Sequence, residues 1–72
     1  RRTTAAARLL RMAGETALEE VRRLRSAGMQ TNLAVSAYFQ LEGAPEQALA
    51  ELANASAEEL MDIITQSAHR RN

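Results

Sequence analysis

Three glycines, at positions 14, 28 and 43, cut the chain into stretches whose apolar residues recur every three or four positions. That spacing lines one face of a helix, and glycine is the residue most often found just past a helix end. The pattern therefore predicts short helices joined by tight turns. A first helix from about Thr4 to Ala13 carries Leu9, Leu10 and Met12, with Gly14 as its stop. Thr16 opens the second, and Glu19 three residues later completes a capping box. Ala17, Leu18, Val21 and Leu24 line its apolar face, and Gly28 ends it. The third starts near Thr31 or Asn32, either of which can cap it. Its stripe is Leu33, Ala34, Ala37, Tyr38 and Leu41, widened by Val35 and Phe39, and Gly43 stops it. Pro45 suits the first turn of a fourth helix, because proline's fixed φ belongs there and its missing N–H costs nothing. Ala48, Leu49 and Leu52 form that helix's apolar edge, and Asn54 marks its end. Ser56 and Glu59 make a second capping box before Leu60, Met61, Ile63, Ile64 and Ala68. Arg70 and Arg71 then meet the negative end of the last helix. Linkers of a few residues force consecutive helices together, so the expected fold is all-α, a compact bundle of about five short helices in one domain.

Composition narrows the function classes. A chain of 72 residues buries only about 60% of its unfolded surface, and without cysteine it has neither a disulfide nor a thiolate metal site to supplement the core. That absence fits a reducing, intracellular compartment (cytoplasm or nucleus). One tyrosine, one phenylalanine and no tryptophan leave alanine and aliphatic side chains to do the packing. Nine basic and nine acidic residues balance to zero, so no net field holds a nucleic acid or an anionic membrane at range. No apolar run approaches the ~20 residues of a membrane span. A chain opening on Arg1 reads as a segment of a longer protein. The acid-free stretch from Arg1 to Ala13 could pass for part of a transit peptide, though it reads equally well as a first helix.

Catalysis finds little to work with. His69 is the only histidine, in a last turn beside Arg70 and Arg71, and by itself makes neither a triad nor a metal site. Glu19, Glu20, Glu58 and Glu59 fall in first turns, where carboxylates complement the helix dipole. The expectation is a protein that is not an enzyme and needs no cofactor or metal. Arg22, Arg23 and Arg25, with Arg8 and Arg11, form the basic cluster, and Val21 to Gln40 loosely resembles a helix-turn-helix. Yet the segment from Asn32 to Glu42, where a recognition helix would stand, has no basic residue, so a solvated arginine face is the simpler reading. Ala17 to Asn32 also resembles part of a pentatricopeptide repeat, with its helix, Gly28 and following Asn32, but the second helix is about one turn too short and no second copy follows. Met12 and Met61 read as core filler on helical faces, whereas Met29 stands in a turn, where a large apolar side chain invites a partner.

Within residues 17–54, between helices expected at about 4–13 and 57–70, Gly28-Met29, then Ala34 and Ala37, then Gly43, then Ala48 and Leu52 follow a recognisable spacing. The segment resembles a ubiquitin-associated (UBA) domain, a compact three-helix fold with a Met-Gly-Phe-type loop after its first helix. Small residues where helices cross and glycines where the chain turns at positive φ are what such a core requires. The resemblance implies recognition of ubiquitin or a ubiquitin-like domain by Ala27, Gly28 and Met29 in the loop and by Leu49, Leu52 and Ala53 on the following helix. This chain departs from the family at Ala27, where Met is usual, at Met29, where Phe or Tyr is usual, and at Ala53, which weakens the dileucine ending. Each missing large side chain removes about 1.5–3 kcal/mol of potential burial, so the fold matches better than the binding surface. The rival reading is a helical assembly module, in which Leu60, Ile63, Ile64 and part of the first helix pair with a second copy or another protein.

Overall fold

The computed structural model describes the backbone of residues 5–70 and the side chains of residues 5–69. It contains α1 (Ala5–Arg11), α2 (Glu15–Ser26), α3 (Thr31–Leu41), α4 (Glu46–Asn54) and α5 (Ala57–Arg70), with no strand among the described residues. The expected first-helix start at Thr4 and the role given to Arg71 lie outside the described residues, as does the side chain of Arg70.

The ends of α2, α3 and α4 each have a local reason. At the end of α2 the Met29 N–H donates to the Leu24 carbonyl at 3.1 Å and the Gly28 N–H to the Arg25 carbonyl at 2.9 Å. The end of α3 repeats the pair, Ala44 N–H to the Phe39 carbonyl at 3.0 Å and Gly43 N–H to the Gln40 carbonyl at 3.1 Å. Both are Schellman closures, which satisfy orphan carbonyls but need a left-handed residue. Gly28 at φ 104° and Gly43 at φ 87° supply it. Asn54 closes α4, its side-chain amide donating to the Ala50 carbonyl at 3.0 Å.

Helix starts follow the sequence less closely. Ser56 caps α5, its hydroxyl accepting the Glu59 N–H at 3.2 Å. Thr16 does not cap α2: the helix begins one residue earlier at Glu15, with Gly14 at the cap position and no side-chain hydrogen bond to the first turn. Neither Thr31 nor Asn32 caps α3, whose cap position is Gln30. The first turn of α1 is satisfied from a distance, the Ala6 N–H donating to Glu51 Oε1 of α4 at 2.9 Å.

The helices fold into a body of 29 × 26 × 22 Å. α5 packs on α1, α2 and α3; α1 packs also on α4, and α3 on both α2 and α4. α2 and α4, on either side of α3 in sequence, make no comparable contact with each other. The largest fully buried side chains are Leu10, Val21, Val35, Leu52, Leu60 and Ile64, one from each of the first four helices and two from α5. The core is therefore shared by all five helices.

Three sequence expectations change here. Met12 is 69% exposed just beyond α1, because the helix ends at Arg11 and turns the side chain away from the core. On α3 the core face is Ala34, Val35 and Phe39, while Leu33 and Leu41 stand 59% and 85% exposed. That helix is apolar nearly all round, so its periodicity does not choose a face. Leu60 and Ile64, assigned to an assembly stripe, are enclosed in the core, and Ile63 is half-buried against it.

Candidate functional site

The Schellman closure of α2 turns the chain at Ala27, Gly28 and Met29, all three exposed, and delivers it into the start of α3. Met29 is 37% exposed. An apolar residue just past such a closure commonly packs back on the helix it ends, which explains why methionine is tolerated in a turn and leaves about a third of its surface open.

Asn32, on the first turn of α3, ties this loop to the end of α4. Its side-chain amide donates to the Leu52 carbonyl at 3.0 Å and to the Ala55 carbonyl at 2.6 Å. Both of its donors are thereby used, one on the Leu52 carbonyl, which also accepts the Ala55 N–H at 3.3 Å, and one on the Ala55 carbonyl just past the helix end. Met29 stands three residues before Asn32 and Ala53 one residue after Leu52, so loop and helix end are held at the same end of the bundle. Of the six residues expected to bind a partner, Ala27, Gly28, Met29 and Ala53 are exposed and Leu49 is half-buried. Leu52 is fully enclosed at 0% exposure. It belongs to the core and offers a partner nothing, which corrects its assignment as a contact residue.

Beside the loop lies an open hollow lined by Arg22, Arg25, Ser26, Gly28, Met29, Gln30, Thr31 and the first residue of α5, Ala57. No acidic group pairs with Arg22 or Arg25 among the described residues, whereas Arg23 pairs with Glu20 at 2.6 Å. The Arg23 hydrogen bond and charge hold the Glu20 carboxyl below its usual value, and Glu20 in turn raises Arg23. Arg23 is exposed and Glu20 only partly covered, so the pair steadies a surface more than it stabilises the fold.

No group of three or more potential metal ligands occurs among the described residues, and none of their helices is long and apolar enough to cross a membrane. His69 is exposed on the last turn of α5. Sequence reasoning missed Asn32 as the tie between loop and α4, since its partners are 20 and 23 residues away. It also missed the exposed leucines of α3, which a charge-free helix with leucine near each end could have signalled. Compared with family models, curated proteins and solved structures, the chain matches none of them.

Proposed function

We propose that this domain is a non-catalytic protein-interaction module that binds ubiquitin or a ubiquitin-like domain through the Ala27–Met29 loop and the outer side of α4. The observation that carries the reading is the double hydrogen bond of Asn32. It fixes the exposed Met29 and Ala53 relative to one another, so an apolar patch on a partner meets a surface already in place. Preorganisation of that kind reduces the ordering cost of binding. Leu49 lies half-buried beside Ala53 on the same helix, and Leu52 supports both from beneath. The exposed apolar area is small, so affinity belongs in the micromolar range or weaker.

The test is an amide NMR titration of the labelled domain with monoubiquitin. Shifts should cluster at Ala27 to Met29, Leu49 and Ala53, and Met29→Ala should weaken binding by about tenfold, as loss of a half-covered large side chain implies. Absence of shifts at millimolar ubiquitin would remove ubiquitin as the partner, and the same titration with ubiquitin-like domains would then decide the broader reading.

A further inference from the structure

The hollow beside the loop brings Arg22 and Arg25 together with Met29 and Thr31. The two arginines stand three residues apart on α2, so their side chains share one face of that helix. Both are exposed, and neither meets a carboxylate among the described residues. Like charges so placed repel one another, and an anion set between them relieves the repulsion. The first turn of α3, which opens at Thr31 beside them, holds no acid and takes no side-chain cap. Its orphan N–H groups add to the positive side of the balance. Glu58 and Glu59, in the first turn of α5, do not line the hollow and leave the arginines uncompensated.

We infer that the partner of this loop is acidic: one of its carboxylates seats between Arg22 and Arg25 while an apolar residue beside that carboxylate covers Met29. The inference rests on the reading of the Ala27–Met29 loop as a protein-binding surface. It narrows that reading to ubiquitin-like domains whose apolar patch is bordered by acid. Gly28 and Met29 belong both to the loop and to the hollow, so a partner that covers Met29 also takes water from the arginines. A guanidinium stripped of water without an acceptor opposes binding, and a basic partner surface is repelled outright. A carboxylate answers both demands, because it meets the flat guanidinium fork through two parallel hydrogen bonds. Zero net charge on the chain keeps this complementarity local. That reach suits the acidic side chains of a protein rather than the backbone of a nucleic acid.

Sodium glutarate, a dicarboxylate, probes the hollow by itself when titrated into the labelled whole domain at constant ionic strength, with chloride as control. The Nε–H signals of Arg22 and Arg25 and the amides from Gly28 to Leu33 should shift saturably. Arg25→Gln should weaken the response at least about threefold. Shifts that chloride reproduces, that do not saturate, or that Arg25→Gln leaves unchanged would overturn the acid site. Tighter binding of inorganic phosphate than of glutarate would overturn it in favour of phosphorylated groups.

A ubiquitin-like domain that binds the loop then tests the partner's chemistry. Arg22→Glu combined with Arg25→Glu should raise its dissociation constant at least about tenfold and flatten the loss of affinity with salt. The circular dichroism spectrum should be unchanged, since both side chains are exposed. Binding lost in Met29→Ala but equal in the double charge reversal would overturn the acidic partner and leave the loop reading in place. Glutarate bound in the hollow, with no ubiquitin-like domain bound at millimolar concentration, would instead overturn the loop reading and the acidic partner with it.

Discussion

Asn32 shows how one residue can change its meaning between sequence and fold. Its type and place suit a helix cap, yet its amide spans to α4 and satisfies two carbonyls there. Asn32→Ala removes both bonds, leaving the Leu52 carbonyl with only the Ala55 N–H and the Ala55 carbonyl without its side-chain donor, and should cost about 1–3 kcal/mol. For a domain of this size that is a fall in melting temperature of at least several degrees. Asn32→Asp should be worse than Ala, because carboxylate oxygens would face carbonyl oxygens. Equal melting of all three proteins would show that the bridge contributes nothing. Ser36 is the opposite case, its hydroxyl buried on α3 without a hydrogen-bond partner among the described residues. Ser36→Ala removes an unsatisfied group and improves helix propensity, so it should raise stability by about 0.5–1 kcal/mol in a urea titration.

At the scale of the element, two capping boxes that read alike in sequence differ in fact. Ser56 caps α5, and Ser56→Ala should cost about 1 kcal/mol. Thr16 lies inside the first turn of α2, so Thr16→Ala should stay within about 0.5 kcal/mol of the parent. Equilibrium unfolding of the pair checks both, and equal losses would mean that Thr16 caps after all. The difference arises because Glu15 can begin the helix by itself, its carboxylate in the first turn where the dipole favours it. Helix ends were the more legible boundary: a left-handed turn selects glycine so strongly that Gly28 and Gly43 could be placed from the sequence. Of the candidate site, the exposed loop was legible for the same reason, whereas the burial of Leu52 was not. Leu49 and Leu52 both sit on the apolar edge of α4, and only the neighbouring helices decide which of them is enclosed.

Across the whole molecule, stability runs through α5. Ile64 is fully buried on a helix packed against three others, and Ile64→Ala should cost about 2–5 kcal/mol. A domain this small holds only on the order of 5 kcal/mol in all. The variant should therefore be largely unfolded by circular dichroism near 37 °C, and a cooperative fold with unchanged melting would displace α5 from its central place. Stability should also depend on alkaline pH. Burial pushes the Tyr38 hydroxyl above its ordinary value, and the charges of Glu42 and Glu20 push it the same way. The ionised form is disfavoured in the folded state, so this contribution is complete below the usual tyrosine value of ~10 and is lost as pH rises through the raised folded value. Melting temperature should thus fall more steeply above that pH for the parent than for Tyr38→Phe.

Sequence alone determined the class of fold, the number of helices and where most of them stop, because these are set within a few residues by backbone freedom and hydrogen-bond closure. Tertiary structure decided which face of α3 is covered, that Leu60 and Ile64 form core rather than an outer stripe, and that Asn32 and Glu51 reach across to other helices. Each of those outcomes depends on a neighbour far away in the chain. An apolar residue on a helix knows its own spacing, but burial is conferred by whatever packs against it.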